Sequence, residues 1–450
     1  MRKNIIEKMR DEAKKIFSCA IDAADPYKAV RDFLCVEKDR LILGRKKECS
    51  TEFNLNSFKR IFVVGGGKAT APMAKSVEDL IGSRIDKGVI AVKYGFTEDL
   101  VLSEMVEAGH PVPDKNSIIV TEKILGCLKS AGEEDLIISL ISGGGSALLC
   151  STSGDISIYQ KQKLTQNLLE CGASIDEINT VRKHISSTKG GKMAKAAFPA
   201  TVINLMLSDV VGDRIDVIAS GPFTPDTSTY TDAWKILKKY NLQNISSTIQ
   251  EYIKAGMKGL VSETPKTDDP IFRKVYNCII ASNISALKAA GKKAESFGYN
   301  TLILSSMMEG KARELAHVHT AIAGEIAKNG LPVVSPACII SGGETTVTIK
   351  GSGKGGRNQE FCLSAACDLA GLSDQIIILC GGSDGNDGPT DAAGAVVDPF
   401  TVMRGQKHSL DAMQYLNNND SYNFFRKTDD LLITGPTNTN VMDVRLILVR

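Results

Sequence analysis

Arg60-Ile-Phe-Val-Val-Gly-Gly-Gly-Lys-Ala-Thr70 is the stretch on which the fold class turns. Arg60 to Val64 is a short apolar strand, three glycines break it, and Pro72 to Leu80 continues with helical spacing. The unit is strand, glycine turn, helix. It recurs along the chain. Asp135 to Ile141 runs into Ser142-Gly143-Gly144-Gly145-Ser146, Ala337 to Ile340 into a Gly342-Gly343 turn, and Gln375 to Leu379 into Gly381-Gly382-Ser383-Asp384. Further strands are predicted at Gly88–Lys93, Val101–Ala108, Val202–Leu207, Val275–Ala281, Thr301–Leu304, Thr345–Lys350, Leu431–Ile433 and Val444–Val449, with helices between most of them. Units alternating in this way give an α/β fold with mostly parallel or mixed sheets covered by helices. Asn241 to Pro270 is polar and poor in strand signal, so the domain junction is expected there.

At 450 residues the chain is long for one domain, and two α/β domains are the natural expectation. A formal charge of +2 gives no support to nucleic acid as the main partner, which would call for a basic face. Eleven cysteines scatter without a CxxC pair or His/Cys spacing, which suits a reducing cytosol. Met1 to Lys15 is amphipathic rather than apolar, and no apolar run reaches membrane-spanning length. The expectation is a cytoplasmic protein without a membrane partner, as a monomer or homodimer.

Glycine turns let backbone N–H groups face an anion without Cβ interference, and a nearby cation adds charge. Lys68 stands at a helix N-terminus, where a cation is unfavourable unless an anion is bound; the alternative is a tight turn with a solvated lysine. This is not a Walker loop, whose spacing differs and which needs Ser or Thr where Ala69 stands. Gly351-x-Gly353-x-x-Gly356 matches the dinucleotide fingerprint, yet it carries Lys354 and Arg357. It also lacks a second strand ending in an acid about 20 residues on, so NAD is not adopted. Arg357 can fork onto a carboxylate or phosphate, against the plainer alternative of a surface ion pair.

Acids at strand ends raise the question of a metal. Asp209 and Asp213 bracket one turn, and Asp384, Asp387 and Asp391 crowd another. Mg²⁺ takes one or two carboxylates with phosphate oxygens and water, while Asx turns alone also explain such acids. The Asp384 loop is no calcium loop, because Gly388 falls at a ligand position. His110, in the stiff Gly109–Asp114 loop, either touches substrate or holds its loop. His317 and His319 lie two apart on a helix and face different ways. In the basic stretch from Arg182 to Lys192, Arg182 is read as an anion contact and Lys183 as part of a solvated face.

Together these residues show that the chain resembles the class II glycerate 2-kinases, the family carrying the MOFRL domain. The landmarks are Val63–Ala69, Gly109–Asp114, Ile141–Ala147, Leu207–Asp213 with Ala219–Pro222, Ser341–Thr345, Gly355–Glu360, Gly382–Gly394 and Gly435–Val441, in that order over nearly the whole chain. The resemblance implies a Rossmann-like N-terminal domain over 1–245 and a C-terminal α/β domain over 246–450. The latter contains the MOFRL region at about 335–445, and the active site would lie in the interdomain cleft. It implies transfer of the γ-phosphoryl group of ATP to the 2-hydroxyl of D-glycerate, giving 2-phosphoglycerate, with Mg²⁺ required. Lys68 and Arg357 are implied to be essential; the residue chemistry adds Asp209 as a catalytic candidate.

Added to the residue chemistry, this makes His110, Arg182, Glu344 and Asn358 substrate-binding candidates. Gly66, Gly67, Ser142, Gly143, Gly144, Gly145 and Ser146 are candidates for ATP phosphates. Asp209, Asp384 and Asp387 are candidates for Mg²⁺, with Asp209 and Asp384 also able to take the hydroxyl proton. The rivals are an NAD-linked hydroxypyruvate reductase, a label family members have carried, and a sugar-acid-binding protein without catalysis. The first needs a true fingerprint; the second leaves cations and acids in both halves without a use.

Overall fold

Apolar runs that are buried on both faces require helices on both sides of a sheet, and the N-terminal half builds such a sheet. The computed structural model describes residues 2–44, 51–373 and 375–450. They form two compact units. The first comprises Pro26–Ser208 and Asp213–Ile280, the second Met1–Asp25, Asp209–Gly212 and Ala281–Arg450.

In the first unit β1 (Leu34–Glu37), β2 (Arg40–Leu43) and β3 (Thr51–Asn54) make a small antiparallel sheet. The main sheet contains β4 (Arg60–Gly66), β5 (Lys87–Lys93), β6 (Ser103–Ala108), β7 (Asp135–Ile141), β8 (Thr201–Leu207) and β9 (Val275–Ala281). Their spatial order is β6-β5-β4-β7-β8-β9, and β4 to β8 pair in parallel. The chain therefore moves one way from β4 through β5 to β6, then returns to place β7 on the other side of β4. That reversal is a topological switch point, where open α/β sheets bind ligands beyond the carboxyl ends of their strands. Val63, Ile138 and Leu205 of the sheet pack against Met73 and Val77 of the helix Thr70–Ile81. A separate core joins the helices Ile158–Glu170, Ile175–His184 and Tyr230–Lys239 through Leu164, Leu168, Val181 and Leu237. Capping boxes at Ser157/Gln160 and Ser174/Glu177 start the first two of these helices.

The division between units falls after Ile280 and not near residue 245. The reason is local: β9 extends the first sheet, and the helix Ser247–Met257 buries Ile249 and Ile253 in the first unit's helical core. Two inward isoleucines are hard to see in a stretch whose remaining surface is polar.

The second unit contains β10 (Asn300–Lys311), β11 (Ala337–Thr346), β12 (Ile376–Gly382), β13 (Gly394–Val397), β14 (Leu431–Leu432) and β15 (Asp443–Val449), in the order β10-β11-β15-β12-β13-β14. Only β10 and β11 pair in parallel; the other neighbours are antiparallel. β15 lies between β11 and β12 with Asp443 opposite Gly343 on one side and Gly382 on the other. This register sets one acid between the carboxyl ends of two strands. The Gly342-Gly343 pair does not turn, as its sequence suggested, because β11 continues through it to Thr346. A Cβ on Gly342 would lie 1.8 Å from Asn283 Oδ1, and Gly343, at φ +118°, has Met308 O at 2.3 Å from the same point. Close approach, not a bend, requires these glycines.

The helix Arg2–Asp22 joins the second unit through a buried ion network. Arg10 bonds Asp398 at 2.6 Å and Asp430 at 2.8 Å, and Arg404 bonds the same two acids at 2.9 and 2.7 Å. Both carboxylates are buried. Removing one member of such a network strands the others, so Asp398→Ala should lower stability by about 3–5 kcal/mol. Urea unfolding followed by circular dichroism measures this, and a change below about 1 kcal/mol, the size of an exposed pair, would disprove the role given to the network.

Candidate functional site

At the switch point the turns after β4 and β7 lock into each other. Lys68 N–H donates to Gly143 O at 2.8 Å, Ala69 N–H donates to Ser142 Oγ at 3.0 Å, and Thr70 Oγ1 lies 3.3 Å from Ser142 Oγ. A Cβ on Gly67 would fall 2.0 Å from Ser142 Oγ, and one on Gly66 2.7 Å from Leu149 Cγ. The Gly67 N–H is already used, donating to Ala91 O at 3.1 Å. Gly66 and Gly67, expected to present N–H groups to phosphate, thus serve mainly to let the two turns approach. The N–H groups of Gly143 and Gly144, by contrast, have no partner among the described residues. Gly145 N–H donates to Ser142 O at 3.1 Å, and Ser146 Oγ lies 2.9 Å from Ser220 Oγ. Beneath this turn Ala219 and Ser220 hold φ of +50° and +62°, a strained conformation for non-glycine residues.

Because residue 144 has no Cβ, His110 fits against it. An ideal Cβ there would lie 3.0 Å from His110 Nε2 and 3.5 Å from Lys68 Cγ. Lys68, His110 and Gly144 therefore meet, as the sequence could suggest but not place. Burial, followed by the charges of Lys68 and Lys93, lowers the His110 pKa to about 4, so its imidazole is neutral near neutral pH. A cavity of about 330 Å³ opens beside this point, lined by His110, Gly144, Ser146, Arg182, Lys189 of the same basic stretch and Lys161, which sequence reasoning had not singled out. The capped helices position Lys161 and Arg182, the latter in the last turn of its helix.

In the second unit the organising residue is Asp443, which was also missed. It is fully buried. Arg357 opens the helix Arg357–Leu369, and its Nε donates to both Asp443 oxygens at 3.0 and 2.9 Å. Its Nη1 reaches Glu344 Oε1 at 2.7 Å, while Nη2 makes no hydrogen bond among the described residues. Asn358 Nδ2 and Arg445 Nη2 add bonds of 3.0 Å each to Asp443. Burial alone would lower the Arg357 pKa, but Asp443 and then Glu344 outweigh it and hold the guanidinium charged. Arg357, Glu344 and Asn358 are thus brought together around an acid that lies two residues beyond the Gly435–Val441 landmark. A lone Asp at the start of an apolar strand was its only sequence signal.

The glycine loop before Arg357 is not an open anion cradle. The N–H groups of Lys350 and Gly351 donate to Asn419 Oδ1, those of Ser352 and Gly353 to Asn418, and that of Lys354 to Asp420 Oδ1, at 2.8 to 3.2 Å. Five consecutive donors are satisfied inside the protein, and its glycines allow the loop to lie against residues 418–421.

Asp387, expected at a metal, caps a helix. Its Oδ1 accepts from Asn358 N–H at 3.0 Å and its Oδ2 from Gln359 N–H at 2.8 Å, so both oxygens serve the first turn of Arg357–Leu369. Asp384 is half-buried and accepts from Asn386 N–H at 3.1 Å. Asp209 belongs to the second unit and lies 3.5 Å from Asn440 Nδ2. The segment carrying Asn440 is laced to the loop carrying Asp384, through Val441 N–H on Ser383 Oγ at 2.7 Å and Thr437 Oγ1 on Ser383 O at 2.6 Å. Among the described residues no three His, Cys, Asp or Glu side chains gather as a metal cluster. Mg²⁺ bound through one or two carboxylates and phosphate oxygens needs no such cluster, and Asp209 and Asp384 have the donor chemistry for it.

Comparison with known proteins gives a consistent result. Residues 12–254 match the model of a domain of unknown function, DUF4147, and residues 337–443 match the MOFRL family. A relative from Thermotoga maritima named D-glycerate 2-kinase is 41% identical over 98% of this chain and 99% of its own. The crystal structure of a glycerate kinase from Thermotoga maritima superposes with a TM-score of 0.88 at 41% identity, covering 99% of this chain and 100% of that one. A relative from Agrobacterium vitis, provisionally named a hydroxypyruvate reductase, is 40% identical over 98% of this chain and 94% of its own.

Titration separates two of these groups. His110 should show no midpoint between about pH 5 and 8. Asp387 should titrate within that range, because burial pushes its pKa up to about 7 against the pull of the Asn358 and Gln359 N–H groups. Its folded pKa lies above its ordinary value of about 3.9, so the folded state holds the proton more tightly. Its contribution to stability is therefore present at low pH and lost as pH rises through about 7. Carbon-13 NMR of the carboxyl groups, with Asp387→Asn to assign the signal, measures the midpoint; a value below about 5 would contradict the assignment.

Proposed function

The chain belongs to the glycerate kinase family that carries the MOFRL domain, and from this we infer that it is a D-glycerate 2-kinase. It moves the γ-phosphoryl group of ATP to the 2-hydroxyl of D-glycerate, giving 2-phosphoglycerate and ADP. The observation that carries the chemistry is the switch point of the first unit. There Lys68 and the unpartnered N–H groups of Gly143 and Gly144 stand together at the carboxyl edge of a parallel sheet.

Phosphoryl transfer asks a protein mainly for positioning and for neutralisation of spreading negative charge. Lys68 supplies a cation and the Gly143 turn supplies backbone donors to phosphate oxygens. Arg357, charged and anchored at Nε, offers Nη2 to a carboxylate or phosphate oxygen. Neutral His110 can exchange a hydrogen bond with substrate without adding charge. Asp209 and Asp384 are the acids we assign to Mg²⁺ and to the proton leaving the 2-hydroxyl. Bound Mg²⁺ would neutralise phosphate charge. Ten free cysteines among the described residues support a reducing cytoplasm, and no helix among those residues is long and apolar enough to cross a membrane. We place the enzyme there as a monomer or homodimer.

Purified protein with D-glycerate, ATP and Mg²⁺ should yield ADP and 2-phosphoglycerate, identified by phosphorus NMR. A 3-phosphoglycerate product, or NADH oxidation with hydroxypyruvate and no ADP, would refute the assignment. Lys68→Ala and Arg357→Ala should each lower kcat by about 10²-fold or more with unchanged circular dichroism. Arg357→Lys, which keeps the charge and loses the fork, should recover little of it.

A further inference from the structure

The cavity beside the Gly143 turn has a lopsided charge balance. Lys161, Lys189 and Arg182 line it together with His110, and no aspartate or glutamate does. Lys161 and Lys189 are 5% and 1% exposed; their ammonium groups donate to the main-chain carbonyls of Ser151 at 2.7 Å and Ser146 at 2.8 Å, and Lys161 also lies against the Cys150 thiol. Such carbonyls accept hydrogen bonds without cancelling charge. Arg182, half-buried, has no hydrogen bond or ion pair among the described residues. A neighbouring acid, Asp226, is engaged elsewhere, paired with Lys183 at 3.4 Å. Burial lowers the pKa of Lys161, Arg182 and Lys189 alike. Burial thus works against the charge on all three groups, no carboxylate among the described lining residues restores it, and a bound anion would.

The rim narrows the choice of anion. Val112 is 63% exposed and Leu169 54%, and with Pro111 and Pro113 they give the mouth of the cavity an apolar surface. D-glycerate carries a single negative charge and no apolar face, so it would leave both the excess charge and the rim unmatched. A nucleoside triphosphate has several negative charges on a chain and a flat base with apolar faces. The cavity volume of about 330 Å³, open at the rim, suits the chain with the base lying at the mouth.

We propose that this cavity is the nucleotide subsite, with the polyphosphate over Lys161, Lys189 and Arg182 and the base against Val112 and Leu169. The assignment rests on the phosphotransferase function given above and deepens it. It moves Arg182 from the acceptor acid to the phosphate donor and adds two lysines to the binding machinery. The phosphate end faces Gly144, beside which the Lys68 stem lies.

Isothermal titration of the full chain with tripolyphosphate, ATP, D-glycerate and 2-phosphoglycerate tests it, using wild type, Arg182→Gln and Val112→Glu. Arg182 has no hydrogen bond or ion pair among the described residues and Val112 is exposed, so neither change threatens folding. Arg182→Gln should weaken tripolyphosphate and ATP by about tenfold or more and leave D-glycerate within about twofold. Val112→Glu should weaken ATP by more than it weakens tripolyphosphate, because the new carboxylate repels both and only ATP also loses the apolar contact. Wild type that fails to bind tripolyphosphate overturns the proposal, as does an Arg182→Gln effect on D-glycerate or 2-phosphoglycerate with ATP unaffected. Arg182-dependent polyphosphate binding without formation of 2-phosphoglycerate refutes the kinase assignment alone. Turnover with an unchanged KM for ATP in Arg182→Gln refutes the subsite alone.

Discussion

A charge taken out of water has to be answered by another charge or by a ligand, and this constraint shapes both units of the protein. In the second unit the answer is internal. Asp443 sits between Arg357 and Arg445, and Asp398 between Arg10 and Arg404, each bonded at about 3 Å or less. In the first unit Lys161, Lys189 and Arg182 are left facing a cavity with no carboxylate among the described residues that line it. Balanced charges hold a structure in place; unbalanced ones wait for an anion.

Strand geometry puts these charges where they can act. In the first unit the reversal of direction between β4 and β7 brings two glycine turns side by side, and the loss of side chains at Gly66 and Gly67 lets them interlock. In the second unit an antiparallel strand between β11 and β12 delivers Asp443 to the edge where Arg357 begins its helix. Arg357 is thereby a positioned group rather than a mobile surface arginine. Its Nε is fixed on a buried carboxylate and one arm of the fork remains available.

Much of this was legible in the residues. The strand, glycine turn and helix units and the family follow from local pattern, since apolar runs and glycines act within a few residues of where they stand; the meeting of Lys68 with the Gly143 turn needed the sheet order. The glycine pairs were harder. Gly342-Gly343 reads as a turn, yet it lies within a strand because Asn283 and Met308, from distant parts of the chain, press against it. The Gly351–Gly356 loop reads as an anion cradle, yet its N–H groups up to Lys354 are met by Asn418, Asn419 and Asp420. Asp387 reads as a metal ligand beside Asp384, yet it caps a helix that starts 30 residues earlier, at Arg357.

The sequence by itself determined the α/β class and the family, because these depend on residue type and order along the chain. Tertiary structure alone decided which donors are used up and which remain. A backbone N–H, a guanidinium arm or a buried ammonium looks the same in sequence whether or not a distant residue satisfies it. For that reason only the folded chain shows that Asp443 holds Arg357, that Lys161 and Lys189 line the cavity beside Gly144, and that Asp387 and the N–H groups of Lys350 to Lys354 are spent inside the protein.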